Sequence, residues 1–490
     1  MKVRSWWIGV GLLLGLWATR VGALELLPLH NDEGLHLTRA VEVWHLHPFW
    51  AINDGKIINH WLIAAFYPQH EAAFAGRIAT VLVSLVGLAA GYALTRRVIG
   101  SAGAFLTGML WIANPYLFFY ERLAFSDAEA GALALAALWA AWRTRAGTGW
   151  RGSVLTGVLL GLAALFKFTA VPYAASVALI LLVAGGGTLR ERALRLAVVG
   201  LVTAACFVVP LAYLAVRGDD FFGIALGWIG GSGEGQASLV GNLARLGEQL
   251  RGFGSLTWVI LSGAGLALLA VMGVPRRALL ALVGAGVLPL ALMLVLGTEV
   301  LSRHFVVVIP GLVTLAGMGL GYGLRRIGDR RSLQLVAGMG ATALVFGVIP
   351  FMLTAYTNPA ELPLPADARY EHITSHSSGY GLREAAEALG ETITRPELRI
   401  VGSMFPDSCR RTNFYAPERL QLVCDGAPGM GAIEAALAAD GAVYVLADHA
   451  PIIGVDVNTV EARATEIAVY ARPDETAETA SVVLWLLERE

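Results

Sequence analysis

The sequence predicts a polytopic α-helical membrane protein of about eleven transmembrane helices, followed by a C-terminal extracytoplasmic α/β domain. Three observations support this fold class. Of the 490 residues, 56% are hydrophobic and only 15% are charged, and the mean hydropathy is +0.63. Apolar runs long enough to cross a bilayer recur throughout residues 1–355. After about Tyr356 these runs shorten to strand length and charges become frequent.

The composition also excludes several classes of protein. An average soluble domain is about 25% charged, so this chain carries too little charge for a cytosolic enzyme and too much apolar surface for a disordered one. Its net charge of −1 provides no basic field to hold nucleic acid. The three cysteines form no CxxC pair and have no zinc-ligand spacing, which argues against a zinc ribbon.

The membrane part, residues 1–355, begins with a basic start and an apolar run, which we interpret as the first span. The run 152–185 is too long for one upright helix, and the sequence around Lys167 and Pro172 interrupts it, so it is expected to form two spans. The predicted runs are 6–27, 72–94, 101–119, 124–142, 152–185, 194–216, 255–273, 278–297, 304–324 and 332–353.

The short connections between these spans set the predicted orientation. With eleven spans, the groups of arginines at Arg96, Arg143, Arg190, Arg276 and Arg325 all fall on one side together with the N-terminus. Basic loops remain in the cytoplasm, so we expect integration in the plasma membrane with this side inward. The first outer loop (28–71) and residues 356–490 then lie on the extracytoplasmic side.

Residues 356–490 read as a small α/β domain. Strands are expected at 398–402, 420–424, 442–447 and 466–471, and helices at 380–389 and 431–439. Cys409 and Cys424 both belong to this domain, on the oxidising side, where either a disulfide or two free thiols would be compatible with the sequence.

The first outer loop contains the most informative polar residues. It holds six of the ten histidines, and an acidic pair, Asp32 and Glu33, opens an apolar-periodic stretch. Asp32 could cap a helix there and Glu33 could complement the helix dipole. Alternatively, both carboxylates belong to a site at the membrane surface.

Further ionisable residues are predicted at the same face. Asp127 lies where the fourth span meets the outer side, either as a helix cap or as a functional group, because ionisable side chains are expensive in a membrane. Lys56 and Lys167 are two of only three lysines, and Lys167 could also be an interface anchor. Together with Arg303, and with Arg122 as a further candidate, these cations suit an anionic group, and the carboxylates and histidines suit a divalent metal ion whose identity the spacing does not fix.

Several short motifs resemble the GT-C superfamily of membrane sugar transferases, most closely the branch of protein O-mannosyltransferases and bacterial lipid A aminoarabinose transferases. The resemblance spans most of the membrane part, and two departures are Ile57-Ile58 in place of a proline pair and His304 in place of a tyrosine. The matching segments are Asp32-Glu33, Asp54-Gly55-Lys56 with Trp61-Leu62, Gly76-Arg77, Asn114-Pro115 with Asp127, Gly161-Leu162-Ala163 with Lys167, and Arg303-His304 with Pro310.

The resemblance implies inverting transfer of a sugar from a polyprenyl-phosphate donor to an acceptor hydroxyl of a glycan, lipid or protein on the outer face. It implies that Asp32 is the catalytic general base and that Glu33, Lys56, Lys167 and Arg303 bind substrate or its phosphate. Asp127, Glu33 and His304 would be the metal ligands, although a lone histidine is also common as a simple polar residue. A transporter of anionic or polyprenyl-linked substrates, or a non-catalytic membrane scaffold, is the alternative function, and the sequence identifies neither the sugar nor the acceptor.

Overall fold

The structure is a computed structural model of the whole chain. It describes residues 2–49, 56–66, 71–147, 149–220, 238–253, 276–297, 300–327, 348–420, 422–424, 430–448 and 460–489, with isolated positions between 328 and 347. The predicted span 255–273, most of the predicted span 332–353, and Asp54 and Gly55 lie outside the described residues.

The membrane part is built from helices connected mostly by short turns. They are α1 (Lys2–Val21), α2 (Asn31–Trp44), α3 (Ile57–Ala64), α4 (Ala72–Val98), α5 (Ser101–Ile112), α6 (Pro115–Tyr120), α7 (Ser126–Thr144), α8 (Trp150–Phe166), α9 (Tyr173–Val183), α10 (Leu189–Cys206), α11 (Val208–Arg217), α12 (Leu239–Gly252), α13 (Arg276–Leu296), α14 (Ser302–Phe305), α15 (Ile309–Ile327) and α16 (Val348–Thr357).

Within the described residues, α4 alone is long and apolar enough to cross a bilayer as a single straight helix. The helices α10 and α11 meet the same criterion together and are bent by 41° at their junction. Shorter apolar helices lie in most of the other predicted runs, including parts of α1, α5, α8, α9, α13, α15 and α16. The number of spans stays a prediction.

The predicted runs 101–119, 152–185 and 194–216 each contain a break. Asn114 caps α6 by accepting a hydrogen bond from the Leu117 N–H, and Pro115 occupies the first helical position. The run 152–185 breaks at Lys167, as predicted, with extended backbone and a short 3₁₀ turn. Pro210 has no N–H to donate to the preceding turn, which places the bend between α10 and α11.

Buried polar pairs and close helix contacts hold the membrane part together. Arg20 of α1 donates to Glu121 over 2.8 Å, and Trp111 donates to the other Glu121 oxygen over 2.7 Å. A side chain at Gly131 of α7 would meet the backbone oxygen of Val307 at 2.7 Å, so only glycine permits this approach. Breaking the Arg20–Glu121 pair would leave an uncompensated buried charge.

The C-terminal part contains a five-stranded mixed sheet in the order β2-β1-β3-β5-β4. Its strands are β1 (Ile400–Ser403), β2 (Leu422–Val423), β3 (Ala442–Asp448), β4 (Arg463–Tyr470) and β5 (Val482–Glu488), and its helices are α17 (Ala366–Arg369), α18 (Leu382–Thr392), α19 (Pro406–Thr412) and α20 (Met430–Asp440). The pairs β1–β2 and β1–β3 are parallel, whereas β5 runs antiparallel to β3 and β4. Strand β5 and helix α19 had not been predicted.

Cys409 and Cys424, whose state the sequence left open, form a disulfide. It joins α19 to the residue that follows β2. Cys206 is a free thiol at the end of α10.

The C-terminal part packs directly on the first outer loop. Arg411 of α19 donates to the backbone oxygens of Leu29 and Ser377, and the Leu29 N–H donates to the Tyr415 hydroxyl. Ser408 donates to the Asn31 side chain over 3.0 Å. A side chain at Gly34 would collide with Arg411, so α2 and α19 lie almost backbone to backbone. The start of α2 therefore lies at the junction of the two parts of the chain.

Candidate active site

The predicted catalytic residue Asp32 lies in the first turn of α2 and does not cap it. His30 is the cap, because its Nδ1 accepts the Asp32 N–H over 3.0 Å. The Asp32 carboxylate instead contacts Arg303, with 2.6 Å between Oδ2 and Nη1, and its side chain is 27% exposed. Burial would raise the pKa of Asp32, but the positive charge of Arg303, supported by Lys56, holds it well below its ordinary value. Asp32 is therefore an ionised carboxylate that solvent can reach.

The Glu33 carboxylate is surrounded by hydrogen-bond donors of the protein itself. Both of its oxygens accept from Arg77, over 2.8 and 2.7 Å, and each accepts one backbone N–H as well, from Ala124 and from His30. The Glu33 and Arg77 side chains are both fully buried. All four bonds are made within the protein, which indicates a structural residue, and the substrate or metal role that we predicted for Glu33 stays a prediction.

Arg303 lies at the centre of the candidate site. It belongs to the short helix α14, which is anchored where the Tyr120 hydroxyl donates to Ser302 Oγ over 2.7 Å. Arg303 Nη1 contacts two carboxylates, Asp32 at 2.6 Å and Glu371 at 2.9 Å. Its Nε–H is buried and has no hydrogen-bond partner among the described residues. One edge of the guanidinium is thus held by carboxylates, and the Nε–H remains for another acceptor.

Asp127 and Lys167, predicted at the same face, form an ion pair. Asp127 stands at the start of α7 and Lys167 at the break after α8, and 2.7 Å separates Oδ2 from Nζ. The second Asp127 oxygen is buried without a hydrogen-bond partner in the described part of the chain. The Lys167 side chain is 15% exposed. Lys167, at the break in the 152–185 run, therefore has an ion-pair partner, which a simple interface anchor would not have.

Lys56, at the start of α3, shares the electrostatic environment of these groups. Burial lowers the pKa of Lys56, and the positive charge of Arg303 lowers it further. The negative charges of Asp32 and Asp127 act in the opposite direction. Lys56, Arg303 and the two aspartates therefore belong to one cluster of charges, although they come from distant parts of the sequence.

Both the sequence and the fold of this chain are similar to known proteins. Residues 54–213 match the family described as dolichyl-phosphate-mannose-protein mannosyltransferase. The fold is similar to ArnT from Cupriavidus metallidurans bound to undecaprenyl phosphate, with a TM-score of 0.63 at 18% identity over 97% of each chain. It is equally similar to apo ArnT, at 17% identity over 99% of this chain and 98% of that one.

The resemblance to GT-C glycosyltransferases is confirmed. A further similar structure is the arabinofuranosyltransferase AftD from Mycobacteria, with a TM-score of 0.50 and 15% identity over 98% of this chain and 41% of that one. No curated protein sequence matches the chain. The similarity in fold therefore extends over almost the whole chain and includes the C-terminal part.

The predicted metal site does not assemble, among the described residues, from the side chains we named. Within the described ranges, no three histidine, cysteine or acidic side chains are grouped as metal ligands. Glu33 is fully occupied, and His304 Nδ1 accepts the Leu301 N–H over 3.2 Å. In that tautomer the other His304 nitrogen carries a proton and cannot ligate a metal ion. The donor set Asp127, Glu33 and His304 therefore does not fit, and the role of His304 stays a prediction.

Arg122, a further candidate for holding an anionic group, has other partners in the structure. Its guanidinium donates to the backbone oxygens of Arg20, over 3.1 Å, and Ala23, over 2.9 Å, and lies over the rings of Phe118 and Tyr356. It therefore satisfies the carbonyls that end α1 and is not free to hold an anion.

Sequence reasoning missed Glu371 and His372. Glu371 lies on a single π-helical turn (Tyr370–Thr374) at the start of the C-terminal part and reaches Arg303. Its segment carries no motif, and no local pattern connects it to α2. The position directly after the last membrane run was the one available signal, because residues there emerge at the outer face.

Proposed function

We propose that this protein transfers a sugar from a polyprenyl-phosphate donor to an acceptor hydroxyl at the extracytoplasmic membrane surface. The observation that carries the proposal is the cluster of Arg303, Lys56 and Lys167 beside the ionised, accessible carboxylate of Asp32. A set of cations next to a carboxylate suits a reaction in which a phosphate leaves and a hydroxyl attacks.

Arg303 is the residue best prepared to bind the donor phosphate. Its Nη1 is fixed by Asp32 and Glu371, which orients the guanidinium plane, and its buried Nε–H has no partner among the described residues. A phosphate oxygen would satisfy this donor, since arginine binds phosphate through adjacent N–H groups in one plane. Lys167 and Lys56 would add positive charges, and their attraction to the phosphate would grow as negative charge develops on it.

The proposed reaction forms two bonds, one to the anomeric carbon and one from the acceptor proton to a carboxylate, and breaks two. The acceptor oxygen bonds to the anomeric carbon from the face opposite the phosphate, and the bond from that carbon to the phosphate oxygen breaks. The electron pair leaves on the phosphate, where the cations stabilise it, and the acceptor proton passes to a carboxylate of the site. This sequence inverts the anomeric centre, as the resemblance implies.

The apolar helices and the GT-C fold support a lipid-linked donor. In the similar ArnT structure the bound molecule is undecaprenyl phosphate. The predicted positive-inside orientation puts α2, the Asp127–Lys167 pair and the C-terminal part together on the extracytoplasmic side. The acceptor, whether glycan, lipid or protein, would then approach from the C-terminal part.

The test is sugar transfer in proteoliposomes supplied with a panel of radiolabelled polyprenyl-phosphate sugars. Wild type is compared with Asp32→Asn and with Asp219→Asn, a matched change at a partly exposed aspartate that pairs with Arg217. We expect Asp32→Asn to lower transfer by about 100-fold or more and Asp219→Asn to leave it unchanged. Equal transfer by all three proteins would remove Asp32 from the site, and no transfer by wild type from any donor would contradict the function.

A further inference from the structure

Three buried histidine nitrogens near Arg303 take no part in the proposed binding of the phosphate. They are Nε2 of His30 and both ring nitrogens of His372, and none has a hydrogen-bond partner among the described residues. The two ring centroids are 4.9 Å apart. Buried polar atoms in folded proteins are almost always hydrogen-bonded, so this group of unsatisfied nitrogens requires a partner that the described residues do not supply.

Both rings approach the carboxylate of Glu371 without reaching it. His30 Nε2 lies 3.8 Å from Oε1, and His372 Nε2 lies 3.9 Å from Oε2. Both distances are too long for a direct hydrogen bond. One oxygen atom that bonds to both sides can bridge a polar gap of this width. The gap at Oε2 is the available one, because Oε1 already contacts Arg303 Nη1 at 2.9 Å.

The protonation of the rings supplies the donors that such a bridge needs. His30 Nδ1 accepts the Asp32 N–H, so the proton of the neutral ring is on Nε2. Burial lowers the pKa of both histidines, that of His372 to about 3, so both rings are neutral at ordinary pH. A neutral His372 carries one N–H donor and one acceptor nitrogen. The two rings therefore place donors next to an acidic side chain that accepts.

Aromatic rings enclose the other sides of His372. The ring centroids of Phe119, Phe125 and Tyr120 lie 5.0, 5.8 and 5.9 Å from that of His372. The phenylalanine rings carry no hydrogen-bonding group, so these walls leave the histidine nitrogens unsatisfied. The Glu371 side chain is 16% exposed. A small group can therefore approach His372 from the side of Glu371.

A sugar hydroxyl has the chemistry that this gap requires. A hydroxyl both donates and accepts, so it can donate to Glu371 Oε2 while it accepts from His372 Nε2. A phosphate oxygen in the same place would be repelled by the Glu371 carboxylate, and an apolar group would leave the nitrogens unsatisfied. The gap therefore selects a neutral group that carries both a proton and lone pairs.

Arg303 connects this gap to the donor phosphate. Its Nη1 contacts Glu371, and its buried Nε–H is the donor that we assigned to a phosphate oxygen. In a sugar joined to phosphate through its anomeric carbon, the hydroxyl on the neighbouring carbon, the 2-hydroxyl, lies closest to the phosphate. We propose that His372 and Glu371 together bind the 2-hydroxyl of the donor sugar and so select which sugar is transferred. This inference rests on the proposed function and gives Glu371 a binding role.

The experiment measures the coupling between one hydroxyl and one histidine. In the proteoliposome assay, kcat/KM is determined for the polyprenyl-phosphate sugar that wild type transfers best and for its 2-deoxy analogue. The ratio of the two values is the preference for the 2-hydroxyl. The 2-deoxy donor also differs in intrinsic reactivity, so the informative quantity is the change of this ratio between proteins. A partial loss of folded protein lowers both values equally and cancels in the ratio.

The proteins are wild type, His372→Phe, His372→Gln and the matched control His47→Phe, at a histidine whose side chain is 63% exposed. We expect His372→Phe to reduce the preference about 5- to 50-fold, mainly through slower transfer from the 2-hydroxyl donor, because the bound hydroxyl loses a partner. His372→Gln, whose amide can donate, should keep part of the preference. His47→Phe should match wild type with both donors.

The assignment would be overturned if the preference of His372→Phe stayed within about twofold of wild type, whatever the absolute rates. That result would make His372 a packing residue of the aromatic wall. Transfer by wild type of only those sugars that lack a 2-hydroxyl would overturn it as well. A preference that changes for another hydroxyl of the donor, and not for the 2-hydroxyl, would also contradict it. Absence of transfer by wild type from every donor would instead reject the proposed function itself.

Discussion

Replacing Glu33 by glutamine tests whether this residue is structural, as its contacts indicate, or a ligand of the reaction. The change keeps the shape of the side chain and removes its charge. Arg77 then remains fully buried and charged, with its other bonds directed to the backbone oxygens of Leu24, Leu27 and Pro28. Removing one partner of a buried ion pair costs about 3–5 kcal/mol. We expect the free energy of unfolding to fall by that amount.

The assay is thermal unfolding of the purified protein in detergent, compared with Glu42→Gln. Glu42 is on the same helix, pairs with His47 at the surface and is 35% exposed. Exposed pairs contribute less than about 1 kcal/mol, so this control should unfold close to wild type. Glu33→Gln should unfold about 3–5 °C lower, because unfolding a chain of this length gains entropy of about 1 kcal/mol per kelvin.

The reasoning would be refuted if Glu33→Gln unfolded within about 1 °C of the control. It would also be refuted if the variant kept its stability but raised the donor KM tenfold, because that pattern belongs to a residue that binds substrate. A loss of both stability and activity would agree with the structural role, since Glu33 connects α2, α4 and the start of α7.

Further predictions concern other contacts of the protein. Lys167→Gln should lower kcat/KM for the donor about 10- to 100-fold, because it removes the charged contact that we propose to the phosphate, and a donor titration checks this. Glu121→Gln should destabilise the membrane part by about 3–5 kcal/mol without changing the pH profile of the remaining activity; unfolding and pH profiles distinguish the two effects. Alkylation followed by mass spectrometry should find Cys409 and Cys424 bonded and Cys206 free, and reduction should lower C-terminal stability by about 3 kcal/mol, as expected for a 15-residue separation.

Much of the helical organisation could be predicted because its signals are local. The predicted run 72–94 corresponds to α4 (Ala72–Val98), and the predicted break at Lys167 is present. The break at Asn114 was not predicted, although a capping asparagine followed by proline is a local signal. The apolar run of β5 was missed because a short continuous apolar segment does not distinguish a strand from a helix.

The candidate site could be predicted only in part, because some of its contacts depend on how distant parts of the sequence pack. Asp32, Lys56 and Arg303 share one environment, as the motif order suggested. The separate roles of Asp32 and Glu33 depend on which carboxylate meets Arg77 and which meets Arg303, and neighbouring residues on one helix give no local signal for that choice. Glu371 was missed because its contact with Arg303 exists only after the C-terminal part packs on α2.

The most direct measurement of the central claim is the fate of both halves of a doubly labelled donor. Proteoliposomes would receive a polyprenyl-phosphate sugar with one label in the sugar and another in the phosphate, together with a candidate acceptor. The account predicts that each labelled sugar joined to the acceptor is matched by one polyprenyl phosphate, and that Arg303→Gln lowers both products equally. Intact donor crossing the bilayer, with neither product formed, would contradict it and would indicate a transporter.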